Sequence, residues 1–166
     1  MFRRLLATSN DAVPLIARVV LGLVILPHAL QKTLGLFGGY GFDGTVGFMT
    51  GQGIPLAFAV LAIVAEAAGA LGLVLGLFGR VASFGVASVM IGAALLVHRG
   101  HFFMDWNGTQ GGEGYEYHLL AIALAAIVMV RGSGRWSLDR LLLRAPASRT
   151  HFAAGSVPSI ATATAR

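Results

Sequence analysis

Glu66 is the residue in this sequence whose type and position most clearly call for an explanation. It lies in the middle of Ile54–Leu77, a stretch of 24 residues in which it is the only charged side chain. A helix of that length spans about 36 Å and can cross a hydrocarbon core of roughly 30 Å. An ionised side chain at that depth costs about 2.5–3.5 kcal/mol, so we expect Glu66 to face protein, either protonated or paired. It is a candidate proton-relay or ligand-binding carboxylate; the alternative is a structural glutamate that joins two helices.

Histidines lie at the ends of the other apolar segments. His28, His98 and His118 fall on one side of the membrane in the topology derived below. Their imidazoles could hydrogen-bond a quinone carbonyl or another small ligand, or ligate a metal or haem. No two of them have the i, i+4 spacing of a helical metal site, which disfavours haem, and we predict no metal ligands. The alternative is that these histidines bond only to water and backbone.

Arg18, Lys32 and Glu116 complete the set of candidate site residues. Arg18 lies early in the first apolar segment and Lys32 lies at its end, so both are expected to snorkel to the headgroups, although either could receive an acidic group. Glu116 belongs to the GEGYEY motif that starts at Gly112. It could bind a cation together with Glu113 and His118. We favour a structural role, in which the glycines form a turn, the glutamate starts a helix and the tyrosines anchor the interface.

The amino-acid composition indicates the kind of protein in which these residues lie. The 166-residue chain is 56% hydrophobic and 11% charged, whereas soluble domains carry about 25% charged residues. This predicts an integral membrane protein whose first partner is the lipid bilayer. The absence of cysteine excludes disulfides, thiol redox centres and thiolate metal sites within the chain. Much of the +5 net charge lies beside apolar segments near the C-terminus, which is typical of membrane topology and lipid contact and not of nucleic-acid binding.

Four apolar segments predict an all-α integral membrane four-helix bundle within a domain of residues 1–144. The spans are expected at about 13–33, 54–77, 81–97 and 115–131, although the fourth has an uninterrupted apolar core of only 12 residues, Leu119–Val130. Short interfacial helices are expected around 42–49 and 136–143. Residues 145–166 are rich in Ala, Ser and Thr and are expected to form a disordered cytoplasmic tail.

Small residues indicate how the second and third spans pack. Ala65, Gly69, Gly72 and Gly76 share one face of the second span, which permits close helix approach. The connection at Gly79-Arg80 is very short and predicts an antiparallel hairpin. Because such a stripe suits contacts within a chain and between chains equally well, it leaves the oligomeric state open.

The basic residues predict the orientation in the membrane. They concentrate before the first span, between the second and third spans, and after the fourth span, whereas the other two connections carry most of the acidic residues: Asp43, Asp105, Glu113 and Glu116. By the positive-inside rule both termini are cytoplasmic.

Several short motifs follow one another in a characteristic order over about residues 13–140. They are Arg18, HALQK at 28–32, GIP at 53–55, Glu66 within AEAAGALGLVLGLFGR, GEGYEY at 112–117 and GSGRWSLD at 132–139. In this combination the chain resembles the DoxX family of small bacterial four-helix membrane proteins, with Ala29 in place of the family's usual glycine after the histidine. The resemblance implies a place in the bacterial inner membrane. It also implies an association with membrane redox chemistry, which in the family's DoxD relatives is quinone-linked sulfur oxidation.

The leading functional hypothesis is a component of a quinone-linked membrane redox system with an intramembrane pocket around Glu66 and His28. Because the chain lacks cysteine, its electrons would come from a bound cofactor, a quinone in preference to haem, or from redox partner subunits. Whether the chain is itself an enzyme stays open. The alternative hypothesis is a non-enzymatic membrane scaffold or a small-solute transporter.

Overall fold

The computed structural model describes residues 2–144, and the predicted disordered tail at 145–166 lies outside these described residues. All regular structure in the described range is helical, with a 3-10 turn at Leu36–Gly38. The α-helices are α1 (Phe2–Leu5), α2 (Ala12–Leu34), α3 (Gly41–Gly51), α4 (Leu56–Leu75), α5 (Gly79–Leu96), α6 (Glu116–Arg131) and α7 (Leu138–Arg144).

Three of the helices in this range, α2, α4 and α5, are long and apolar enough to cross a membrane. This confirms the prediction of an all-helical, multi-pass membrane protein. At 16 residues, α6 spans about 24 Å, which is shorter than a hydrocarbon core of roughly 30 Å.

The four longer helices pack side by side. α2 contacts α4, α4 contacts α5, α5 contacts α6, and α6 contacts α2 in turn. The core between them contains Leu21, Ile25, Leu73, Val86 and Val128. Large apolar side chains also cover the outside of the helices, including Ile16, Leu61, Phe84 and Leu120. An apolar exterior of this extent is what a lipid-facing surface requires.

The ends of α4 follow from its flanking residues. It begins two residues after the predicted Ile54, because Pro55 has extended backbone angles and precedes the first helical turn. It ends at Leu75 because Gly76 adopts the left-handed conformation, with φ of 65°, which is a common helix stop for glycine.

α5 begins at Gly79, two residues before the predicted start, because a residue distant in the sequence caps it. The carboxylate of Asp139 accepts hydrogen bonds from the backbone amides of Phe78 and Gly79, at 2.6 and 3.0 Å. The first amides of a helix have no partners within the helix. A side chain 60 residues away therefore caps α5 in the way that a local N-cap residue normally would.

The small-residue face of α4 packs within the chain. A Cβ atom placed on Gly69 would lie 2.7 Å from Cγ2 of Val86, and one placed on Gly72 would lie 3.0 Å from Cβ of Ala82. Both neighbours belong to α5, so these glycines allow the two helices of the hairpin to approach closely.

Candidate functional site

Glu66 is buried and paired. Its side chain is 1% exposed, and Oε2 lies 2.5 Å from Nζ of Lys32 on α2. The expectation that Glu66 faces protein is confirmed. The Lys32 side chain is 35% exposed, so the ion pair extends from the helix interface towards the surface. The second carboxylate oxygen, Oε1, is also buried and has no hydrogen-bond partner in the described part of the chain.

α6 contributes two further polar groups beside this pair. Tyr117 lies within electrostatic range of Glu66, and buried His118 lies within electrostatic range of Lys32. Within residues 2–144, neither the hydroxyl of Tyr117 nor Nδ1 of His118 has a hydrogen-bond partner, although both atoms are buried. The ring of His98 lies against that of His118, with centroids 4.6 Å apart and the ring planes tilted by 37°. We call Lys32, Glu66, His98, Tyr117 and His118 the Glu66 cluster.

His28 lies at the edge of the Glu66 cluster. Its side chain is exposed, and its ring centroid is 6.2 Å from that of Tyr117. Buried Ala29 marks the inward face of α2, and His28 is turned about 100° away from that face. The charged partner of Glu66 is therefore Lys32 and not His28. The long aliphatic stem of Lys32 can reach inward from the flank of the same face.

Arg18 lies at the opposite end of the helices and does not join Glu66. The expectation that it snorkels to the headgroups is wrong, since the residue is only 2% exposed. Its guanidinium donates to the carbonyl oxygens of Leu73 and Val74 at 2.9 and 2.7 Å. It also donates to the segment between α6 and α7, at residues 133, 135 and 136. Arg18 therefore satisfies carbonyls at the end of α4 and ties that end to α2 and to the GSGRWSLD segment.

Glu116 holds a loop in place. Its Oε1 accepts a hydrogen bond from the amide of Met104 at 3.0 Å, and neighbouring Glu113 accepts one from the amide of Asp105 at 2.8 Å. These contacts fix the connection between α5 and α6, and they support a structural role for the glutamates of GEGYEY. The carbonyl of Glu113 also lies 3.1 Å from Nδ1 of His98, so this loop positions one histidine of the Glu66 cluster.

Two important residues were missed by reasoning from the sequence alone. Its motif predicts that Tyr117 anchors the membrane interface, yet the residue is partly buried and belongs to the Glu66 cluster. Its position directly before His118 at the start of α6 was the available signal. Asp139 was assigned no role, yet it is 1% exposed, caps α5 and accepts a 2.5 Å hydrogen bond from Ser133. A lone acidic residue within an arginine-rich segment was the signal there.

The Glu66 cluster combines proton donors and acceptors in a buried place. Within residues 2–144, no group of three or more His, Asp or Glu side chains is arranged to hold a metal ion. Two surface grooves of about 490 and 360 Å³ lie elsewhere, one beside α7 and one on the outer side of α2 and α6. The chemistry available to the cluster is therefore hydrogen bonding and proton transfer among an ammonium, a carboxylate, a phenol and two imidazoles.

These features define a multi-pass α-helical membrane protein with a buried ion pair between two of its spans. The family model DoxX matches residues 13–99, which run from α2 to just beyond the end of α5. The chain belongs to the DoxX family, which confirms the resemblance. It is similar to the inner membrane protein YphA of Escherichia coli (strain K12), with 30% identity over 131 residues that cover 76% of this chain and 87% of the relative. No solved structure matches the chain. The protein is a multi-pass protein of the bacterial inner membrane, as predicted.

Proposed function

We propose that this protein is a component of a quinone-linked membrane redox system, and that the Glu66 cluster binds the quinone and handles its protons. The observation that carries the proposal is the set of three buried polar atoms around one ion pair that have no partner among residues 2–144: Oε1 of Glu66, the hydroxyl of Tyr117 and Nδ1 of His118. Each unpartnered buried group costs about 1–3 kcal/mol. Three such atoms, on side chains that belong to one ion pair or lie within its electrostatic range, favour a small polar ligand at this place.

The residue types fit a ligand that carries carbonyl oxygens. A bound quinone supplies reversible uptake of two electrons and two protons. The hydroxyl of Tyr117 and the imidazole of His118 can donate hydrogen bonds to carbonyl oxygens. Glu66 can hold a proton at Oε1, and the partly exposed Lys32 links that carboxylate to the surface. Because the chain has no cysteine, the electrons come from a redox partner subunit.

The proposal places the Glu66 cluster in the outer half of the membrane, in a four-helix bundle with both termini in the cytoplasm. Two observations support this topology. α6 contacts both α2 and α5, as a fourth crossing would, and local thinning of the bilayer accommodates a short span at modest cost. The end of the helices opposite the cluster carries Arg80, Arg131 and the arginines of α7, as expected for a cytoplasmic face.

The first test is the quinone content of the protein purified in mild detergent with native lipid. Solvent extraction and an oxidised-minus-reduced absorption spectrum of the same sample measure bound quinone per protein. Decylubiquinone is then titrated into the quinone-free protein in nanodiscs. We expect retained quinone in the wild-type protein and at least a tenfold weaker affinity in Glu66→Gln, Tyr117→Phe and His118→Ala, the size expected when a buried hydrogen bond is left unmade.

Matched controls lie in the same region of the chain. Tyr115→Phe and His101→Ala alter a tyrosine and an exposed histidine of the neighbouring loop, outside the Glu66 cluster, and are expected to leave quinone affinity unchanged. A wild-type protein that neither retains nor binds quinone would overturn the proposal. In that case, proton or solute flux through the protein in liposomes would favour the transporter, and its absence would favour the scaffold.

A further inference from the structure

A groove at the end of the protein opposite the Glu66 cluster has no role in the proposed function. It has a volume of about 490 Å³, and its lining includes Asn10, Arg135, Trp136, Arg140, Leu141 and Arg144. We call it the arginine groove. It also borders Leu75, the last residue of α4, so it lies at the level where a membrane-spanning helix ends.

The arginine groove gathers positive charge, and within residues 2–144 no carboxylate forms an ion pair with its arginines. Partial desolvation and the neighbouring positive charges of Arg144 and Arg135 lower the pKa of Arg140. Arg140 and Arg144 lie four residues apart and therefore on the same face of α7. The guanidinium of Arg140 donates to the side-chain oxygen of Asn10, a neutral partner that orients the charge and does not neutralise it.

None of the acidic residues described in the structure lines the arginine groove. Of the seven, one lies on α3, two lie in the connection between α5 and α6, one is the first residue of α6, and a fifth is Glu66 itself. Asp139 is buried and faces the amides of α5. Asp11 accepts hydrogen bonds from the amide of Val13 and from Arg131. Residues 145–166 contain no Asp or Glu, so the side chains of this segment offer no counter-charge either.

Part of the rim of the groove is apolar. Trp136 is 80% exposed, and Leu141 and Leu75 are also exposed. Tryptophan favours the boundary between headgroups and acyl chains, whereas guanidinium groups bind phosphate oxygens through paired hydrogen bonds. The groove thus offers a charged part for a headgroup and an adjoining apolar part for acyl chains.

We propose that the arginine groove is a binding site for an anionic glycerophospholipid, with the headgroup phosphate on Arg140 and Arg144 and the acyl chains against Leu75 and Trp136. The three arginines supply the charge complementarity, and the position at the helix ends supplies access from the bilayer. This site is independent of quinone binding at the Glu66 cluster.

Fluorescence of Trp136 tests this site directly. The chain has two tryptophans, so Trp106→Phe leaves Trp136 as the only one. The full-length Trp106→Phe protein is placed in nanodiscs of phosphatidylcholine that contain a small fraction of bromine-labelled phosphatidylglycerol or bromine-labelled phosphatidylcholine. We expect labelled phosphatidylglycerol to quench Trp136 more strongly at equal mole fraction. We also expect the double variant Arg140→Gln, Arg144→Gln to bind labelled phosphatidylglycerol with an apparent affinity that is lower by about fivefold for each charge removed.

Two matched variants separate a specific site from general attraction to a basic surface. Arg3→Gln with Arg4→Gln removes two exposed arginines near the N-terminus and is expected to preserve the lipid preference. The double variant Arg140→Lys, Arg144→Lys keeps the charge and is expected to retain part of the lipid preference. Equal quenching by both labelled lipids, or equal loss of preference in the Arg3/Arg4 variant, would overturn the site. So would full suppression of the preference by inorganic phosphate, which would identify a soluble phosphate as the occupant.

Discussion

Nζ of Lys32 lies 2.5 Å from Oε2 of Glu66, and this contact joins the end of α2 to the middle of α4. The two partners are not equivalent. Glu66 is completely enclosed, whereas about a third of the Lys32 side chain is exposed. A variant that removes the ammonium group of Lys32 should therefore lose a different amount of stability from one that removes the carboxylate of Glu66.

We predict that Lys32→Met destabilises the protein more than Glu66→Gln does. The first change leaves a buried carboxylate without its cation, which costs about 3–5 kcal/mol. The second leaves an ammonium group that can turn towards the surface, so the cost should be about 1 kcal/mol. The double variant should recover part of the loss. Thermal unfolding in detergent, followed by intrinsic fluorescence, measures all three.

The surface pair of Asp11 and Arg131 serves as a control for this cycle. Its nitrogen–oxygen distance is 3.1 Å and its arginine is 61% exposed, so Arg131→Gln should cost less than about 1 kcal/mol. If Lys32→Met proved no more damaging than Arg131→Gln, Glu66 and Lys32 would not form a stabilising pair in the membrane.

Arg18→Lys should destabilise the protein even though it keeps the charge. Lysine has one ammonium group and cannot reach the carbonyls of α4 and of residues 133–136 together, as the guanidinium does. We expect a loss of at least about 1.5–3 kcal/mol, the value of a hydrogen bond to a charged group. The unfolding midpoint measures this, with the exposed Arg4→Lys as the comparison. Equal midpoints would mean that the carbonyl contacts of Arg18 add nothing to stability.

Gly69→Ala should weaken the contact between α4 and α5. The new Cβ would lie 2.7 Å from Val86, closer than carbon atoms can approach, so the helices must separate at a cost of about 1–3 kcal/mol. Gly92→Ala is the matched control, because nothing lies within 4 Å of a Cβ atom there, and it should be neutral or slightly stabilising. Unfolding midpoints that fall equally in both variants would contradict close packing at Gly69.

Single cysteines can establish the proposed topology, because the natural chain contains none. Tyr40→Cys and Thr109→Cys place a thiol at exposed positions in the connections near the Glu66 cluster, and Ala7→Cys places one near the N-terminus. In intact cells, a membrane-impermeant maleimide should label the first two and should label Ala7→Cys only after the inner membrane is opened. Labelling of Tyr40→Cys but not Thr109→Cys would show that the two connections lie on opposite sides.

Local patterns were sufficient for the helical elements. The apolar segments predicted α2, α4 and α5 to within two residues at every end, because hydrocarbon thickness and helix-breaking residues act over short distances. The short helices α3 and α7 were also expected close to where they occur. The observed start of α5 differs from the predicted one because its capping residue, Asp139, lies beyond α6 in the sequence. The local sequence around the start of α5 contains no information about such a distant partner.

The candidate site was only partly accessible to the same reasoning. Glu66 stood out because a carboxylate in an apolar span is costly, and His118 stood out because an imidazole lies at the start of a span. The partner of Glu66 depended on which side chain on α2 turns inward and how far it reaches, and Lys32 satisfies both conditions where His28 does not. Tyr117 was similarly decided by the rotation of α6 within the packed helices.

The amino-acid sequence by itself determined that this is a helical, multi-pass membrane protein of the DoxX family, that its second span carries a buried carboxylate, and that its charges divide between two ends. These properties depend on residue type and on spacing of a few residues along the chain. Only the tertiary structure decided that Lys32 pairs with Glu66, that Arg18 and Asp139 lock the opposite end, and that three arginines line one groove. The contacts of Lys32 and Arg18 join residues separated by 34 to 118 positions in the sequence. They depend on the rotation and height of each helix, which are set when all the helices pack together.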